Sequence, residues 1–182
     1  MEQETKWIQK IQQKRSRKAA DSLVRAYYDE IYIYVYRQIG ERETSLDLTQ
    51  EIFIAMLHSI DNFNRNKSSF RTWLYRISTN KIIDYRRKYN PLTLDIDDLR
   101  LPDEFDFVTH SANREMLKAI EEYVSEMDFR VQQVFRLRLY QNCTFPEIAR
   151  VLELPESTIK SQYHRLIQKL RKEFYYEYYD AE

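Results

Sequence analysis

The chain has 182 residues, and its 29 Lys and Arg balance 29 Asp and Glu, so its formal net charge is zero. One Gly and four Pro, against 15 Tyr and 9 Phe, are too few for the tight turns of a β-protein and predict helices with short connections. The lone Cys143 excludes an internal disulfide, His58, His110 and His164 stand too far apart for a ligand cluster, and no apolar run suits a membrane span or a signal peptide, so a cytoplasmic protein without metal or cofactor is expected.

Trp7, Ile8 and Ile11 begin a helical stripe that the basic run 14–18 interrupts. Leu23, Tyr27, Ile31, Val35 and Ile39 then recur at helical spacing, and Gly40 fits a C-cap because it reaches a left-handed conformation cheaply. Ile52, Phe53, Met56, Leu57 and Ile60 mark a helix over about 45–60. A polar loop, "DNFNRNKSSF", separates it from a helix over about 70–88 whose apolar positions are Trp73, Leu74, Ile77, Ile82 and Tyr85. Residues 90–109 hold two prolines and clustered acids without a period, so they read as a linker. Beyond it Leu117, Ile120, Val124 and Met127 mark another helix. Asp128 is placed to cap the next one, which carries Val131, Val134, Phe135 and Leu139. The expected fold is all-α, with two small helical domains joined by an acidic linker and a helix-turn-helix in the second. Its divisions are 1–89, a linker over 90–112, a second domain over 113–174 and a Tyr-rich acidic tail over 175–182.

The zero net charge averages opposed blocks. Arg76, Lys81, Arg86, Arg87 and Lys88 stand against Asp84 alone, the linker is acidic, and Lys160, Arg165, Lys169, Arg171 and Lys172 stand against Glu156 alone. Two basic segments around an acidic one suggest two polyanion contacts, although any one block also fits a solvated helix face. In "TFPEIARVLELPESTIKSQYHRL", at 144–166, Ile148, Ala149 and Leu152 point one way on a short helix. Pro155 is tolerated at the start of the next helix, where Ile159, Tyr163, Leu166 and Leu170 form the inner stripe. Ser157, Lys160, Ser161, His164, Arg165 and Gln168 lie on or beside the opposite face, which offers donors and no acid. A recognition helix in a major groove needs that arrangement, and a plain amphipathic hairpin would also produce much of it.

"RVQQVFRLRLYQNCTFPEIARVLELPESTIKSQYHRLIQKLRKEF" resembles the C-terminal helix-turn-helix domain of extracytoplasmic-function (ECF) sigma factors, in the sigma-70 family of bacterial RNA polymerase. "DLTQEIF" at 47–53, followed by "FNRNKSSFRTWLYRISTNKIIDYRRK" at 63–88, is similar to the family's N-terminal domain. The two halves in this order are more specific than either alone, and the resemblance covers about 7–174. The sequence departs from the family pattern at Ser68, Glu153 and Ser157, where Gly is frequent, and at Gln162, where Arg is frequent.

The resemblance implies a non-enzymatic protein that binds core RNA polymerase and directs promoter-specific initiation. Asp47, Leu48, Gln50, Glu51 and Phe53 match the helix that docks on the polymerase β′ coiled coil. The loop residues Asn64, Arg65, Asn66 and Ser68 match those that capture a base flipped from the −10 element. Arg71, Arg76, Asn80, Lys81, Arg86, Arg87 and Lys88 match the duplex-facing helix beside it. The helix face from Ser157 to Gln168 corresponds to the reader of the −35 element. Implied partners are core polymerase through its β′ coiled coil and β subunit, promoter DNA, and an anti-sigma factor, membrane-anchored or free. By resemblance the acidic linker runs through the polymerase's nucleic-acid channels. Two other readings stand beside this one. A helix-turn-helix regulator would bind DNA without entering polymerase, and a small helical hydrolase would use Asp47 and Glu51, one turn apart.

Overall fold

Helices account for every regular element among the described residues of the computed structural model, which describes 2–89 and 111–179. Two units divide the chain, 1–93 and 94–182. The acidic linker expected from residue 90 falls, up to residue 110, outside the described residues.

In the first unit, α1 (Glu2–Lys14) and α2 (Arg17–Ile39) are separated where Arg15 takes a positive φ of 49°. Ser16 then caps α2 by accepting from the Ala19 N–H. The helical stripe and its basic interruption are therefore two helices and a corner. Gly40, at φ 78°, ends α2 and donates its N–H to the Tyr36 carbonyl at 2.7 Å. The next helix, α3 (Arg42–Ser59), begins three residues before the expected start at 45, because the Glu41 side chain caps it. That carboxylate accepts from the Glu43 and Thr44 N–H groups at 2.8 and 2.6 Å. These bonds, led by those from Thr44, hold its pKa below the usual range. A 3₁₀ turn (Ile60–Asn62) leads into the polar loop, and α4 (Phe70–Tyr89) follows.

Leu23, Ile31 and Val35 of α2, Ile52 and Met56 of α3, and Leu74 and Ile82 of α4 are fully buried together. Small hydroxyl residues fill the remaining positions in this core: Ser45 and Thr49 on α3, Ser78 and Thr79 on α4. A buried hydroxyl without a partner is costly. Thr49 donates to the Ser45 carbonyl at 2.7 Å, Ser78 to that of Leu74 at 2.9 Å, and Thr79 shares a 2.8 Å bond with the Tyr34 hydroxyl.

The second unit comprises α5 (Ser111–Ser125), α6 (Phe129–Leu139), α7 (Phe145–Leu152) and α8 (Glu156–Tyr179). Val124, Phe135, Leu166 and Leu170 form its core, with Ile120, Met127 and Val131 packed around them. Asp128 caps α6 as expected, accepting from the Arg130 N–H at 2.9 Å. Leu139 does not join the core; it is 43% exposed, and Leu137 is buried in its place. Leu139 is the last residue of α6, and just beyond it the chain bends back, the Cys143 N–H donating to the Leu137 carbonyl at 3.0 Å. Helix α8 runs from Glu156 to Tyr179, so the Tyr-rich segment set apart from 175 onward is helical up to that residue.

Gly40 is the only glycine in the chain, and an added Cβ there would meet open space. The cost of Gly40→Ala is therefore confined to backbone strain, about 1 kcal/mol. Both tryptophans, Trp7 and Trp73, lie in the first unit, so urea unfolding followed by Trp fluorescence reads that unit alone. A lowered midpoint is expected, with Gly40→Asn falling between the two because Asn tolerates the left-handed region better.

Candidate nucleic-acid interface

In the second unit, the turn between α7 and α8 is built from its caps. The Thr144 hydroxyl accepts from the Glu147 N–H, while the Glu147 carboxylate accepts from the Thr144 N–H at 2.8 Å. Two of the backbone donors left open at the start of α7 are thereby satisfied. Ile148 and Val151 bury its inner face, and Ala149 and Leu152 are half-buried beside them. Glu153 ends α7 in the left-handed conformation, φ 54° and ψ 41°, and the Leu154 N–H closes the turn on the Ala149 carbonyl at 3.0 Å. The backbone thus keeps the turn geometry that glycine would favour. Pro155 sits just ahead of α8, its carbonyl accepting from Thr158 and Ile159.

On α8, Ile159, Leu166 and Leu170 are buried and Tyr163 is half-buried. Ser157, Lys160, Ser161, His164, Arg165 and Gln168 are all exposed, so the expected outward face exists. Lys160 pairs with Glu156 at 2.7 Å and Arg165 donates to the Ser161 carbonyl at 3.2 Å. Exposed ion pairs of this kind are weak, so a phosphate can displace them.

In the first unit, Asp47, Gln50 and Glu51 are exposed on α3. Leu48 and Phe53 are not part of that surface. They are 6% and 5% exposed and belong to the inward stripe that continues through Ile52 and Met56. Their contribution to any docking face is to hold the helix from beneath. The structure adds Ile54, which is 55% exposed beside Gln50 and Glu51. In the sequence an isolated exposed apolar residue carries no periodic signal.

The cations of α4 divide into two sets. Arg76, Arg87 and Lys88 are exposed, as is Asn80. Arg87 approaches Asp84 at 3.8 Å. The other three are less exposed, with these partners. Arg71 bonds Glu30 through Nε and Nη2 at 2.5 Å and lies over the Tyr75 ring at 5.0 Å. Arg86 donates to the Gln38 carbonyl at 2.6 Å, and Lys81 meets Glu51 at 3.3 Å. Arg71 and Arg86 are thus half-buried fixtures of the fold, whereas sequence alone shows their charge and not their partners.

The loop between Phe63 and Phe70 exposes Asn64, Arg65 and Asn66, with Ser68 half-buried. Asn64 shapes it: its side-chain oxygen accepts from the Asn66 N–H at 2.9 Å, and its carbonyl from that of Lys67 at 3.0 Å. Phe63 and Phe70 are buried and meet edge to face at 5.5 Å, with Trp73 against both. Between this loop and α1 lies a cavity of about 390 Å³. Tyr27, Phe63 and Phe70 give it aromatic walls, and Glu4, Thr5, Gln9 and Gln12 line it from α1. Arg65, Ser69 and Arg71 line it from the loop side. The Tyr27 hydroxyl donates to the Glu4 carboxylate. Burial, and then this carboxylate, push the Tyr27 pKa well above its ordinary value.

Comparison with known proteins agrees with this layout. The Sigma-70 region 2 model matches residues 23–91, and the Sigma-70, region 4 model matches 117–170. The ECF RNA polymerase sigma factor SigW of Bacillus subtilis (strain 168) is 30% identical over 167 residues, covering 83% of this chain and 86% of that protein. The RNA polymerase sigma factor YlaC of the same organism is 31% identical over 165 residues, covering 87% and 93%. Among solved structures, the sigma factor RpoE in complex with the anti-sigma factor NepR from Bartonella quintana aligns with a TM-score of 0.66 at 14% identity. It covers 84% of this chain and 94% of that one, a likeness of fold. With both sigma regions in order and relatives matched over most of their length, the chain belongs to the ECF sigma factors of the sigma-70 family.

Proposed function

We propose that this sigma factor divides promoter recognition between its two units, 1–89 and 113–174, and carries out no covalent chemistry itself. The exposed α3 face of Asp47, Gln50, Glu51 and Ile54 docks on the polymerase β′ coiled coil. The outward face of α8 reads the −35 element as duplex. The loop and the exposed cations of α4 engage the −10 element as it opens. The acidic stretch between α4 and α5 tethers the two, and a tether raises the effective concentration of the second contact once the first has formed. An anti-sigma factor is the expected antagonist, and the cytoplasm the expected site of action. The carrying observation is the donor face of α8: six polar side chains, all exposed, on the helix that follows a capped tight turn.

A closed duplex hides the base edges that a loop can read. Extruding one base costs a few kcal/mol, which pocket and polymerase contacts must offset. Asn64, Arg65 and Asn66 stand exposed where an unpaired base could reach them. Arg76, Arg87 and Lys88 suit phosphate contact, which is independent of sequence and falls with salt.

Three outcomes are expected. Gln50→Ala with Glu51→Lys weakens co-purification with core polymerase about tenfold, the scale of a rim contact pair, without altering the helical circular dichroism. The Lys81 bridge it removes is exposed and contributes little to stability. Undiminished co-purification would take this face out of the docking site. On a panel of mutated −35 duplexes, Lys160→Ala or Arg165→Ala should show one of two patterns. Loss of a base contact costs about 1–3 kcal/mol and relaxes choice at one pair, whereas loss of a phosphate contact weakens all sequences alike and flattens the salt dependence. Binding by both variants indistinguishable from wild type would make the α8 face merely solvated. Finally, Asn64→Ala with Asn66→Ala spares core and −35 binding but lowers permanganate reactivity of −10 thymines on duplex promoters. A pre-melted −10 bubble should restore much of the lost transcription, because opening no longer depends on capture.

A further inference from the structure

We propose that α1 forms a wall of the base-capture pocket, and that Glu4 in that wall selects a base bearing an exocyclic amino group over thymine. The inference rests on the capture role given to the loop above.

Helix α1 precedes the segment matched by the region 2 model, which starts at residue 23, yet it is tied to the capture loop from end to end. Gln12 Nε2 donates to the Ile60 carbonyl at 2.8 Å and to that of Phe63 at 3.3 Å. Arg15 grips both oxygens of Asp61, at 2.9 and 2.6 Å. Arg65, in the loop itself, donates to the Thr5 hydroxyl at 2.5 Å. The loop's position over the cavity is therefore set by α1 as much as by α4.

The cavity has the parts that hold an unstacked base. Its volume, about 390 Å³, is that of a small-ligand pocket. Of its aromatic lining, Tyr27 is half-buried and offers a surface for the face of a base, while Phe63 and Phe70 are buried and hold the wall in place. The charged groups in the lining are of opposite kinds. Arg65, held by Thr5, and Arg71, held by Glu30, are donor-only; Glu4, held by the Tyr27 hydroxyl, is acceptor-only and is the carboxylate of the lining. One such bond leaves the carboxylate with unused lone pairs. Because its pKa is raised, Tyr27 stays protonated at neutral pH and keeps donating to Glu4. Adenine, cytosine and guanine each present an amino donor beside an acceptor. Carboxylates accept from such amino groups, as in readout of cytosine. Thymine presents carbonyl oxygens on both sides of its N–H and has no amino group. A thymine carbonyl turned toward Glu4 leaves a partly buried anion facing another acceptor, and unpaired polar groups in a site reject the wrong ligand strongly.

The test uses holoenzyme assembled from core polymerase and the full chain, with promoters substituted singly at each −10 non-template position. The readout is the fraction of heparin-resistant open complexes. For wild type, thymine at one position that otherwise holds an amino-bearing base should lower opening about tenfold. Glu4→Gln keeps the size of the side chain and adds amide donors that a thymine carbonyl can accept. It should raise opening on that thymine promoter while lowering it on the cognate one, with the other positions unchanged. Glu4→Ala should shrink the discrimination without reversing it. A gain on thymine is an outcome that a purely structural Glu4 would not produce. If Glu4→Gln keeps full discrimination against thymine while the Asn64 and Asn66 double variant loses opening, the loop captures a base and the proposed role of α1 is wrong. If the double variant opens duplex promoters normally, it is the capture reading that fails, and the role of Glu4 with it.

Discussion

The edge-to-face contact of Phe63 and Phe70 is the constraint on which the N-terminal unit depends. Both rings are buried, and between them the chain runs through exposed polar residues. A loop that begins and ends in one aromatic cluster loses little further entropy when it binds, because its ends are already fixed. Trp73 lies against both rings and carries the constraint into α4. Tyr27 meets Phe70 at 5.3 Å and carries it into α2. The cavity follows from this cluster: its aromatic walls are the outer surfaces of the same rings. Polar ties from α1 then set how the loop overhangs the cavity.

The C-terminal unit solves a different problem, holding the short α7 against the long α8 without a glycine in the turn. Glu153 takes the left-handed conformation that an L-residue enters at a cost of about 1–2 kcal/mol. The capping box at Thr144 and the closure of Leu154 on Ala149 stabilise the turn against that cost. Ile148 and Val151 on one side and Ile159 and Leu166 on the other fix how α8 is rotated. With its apolar stripe committed inward, the six polar residues of α8 have only one direction left to face.

Much of this was legible in the sequence. The helical periods, Gly40 as a C-cap, Asp128 as an N-cap and the outward face of α8 all follow from local rules, and local rules suffice where neighbours in sequence are neighbours in space. The early start of α3 has no strong sequence signal, because Glu is an unusual N-cap, although Glu41 caps the helix well. Leu48 and Phe53 matched a docking motif but lie on the inward side of their helix. Charge alone marks Arg71 and Arg86 in the sequence, and their partners, Glu30 and Gln38, are 41 and 48 residues away. The part of α1 in the cavity had no sequence signal, since Thr5 and Arg65 are 60 residues apart.

The division of labour between the units is tested most directly by directed cleavage in the open complex. Cys143 is buried, so an iron chelate can be attached through Ser161→Cys on α8 or Lys67→Cys in the loop. In a complex of core polymerase, labelled protein and promoter DNA, the account predicts strand cutting at the −35 element from position 161 and at the −10 element from position 67. Cutting of one element from both positions, or of neither, would contradict it.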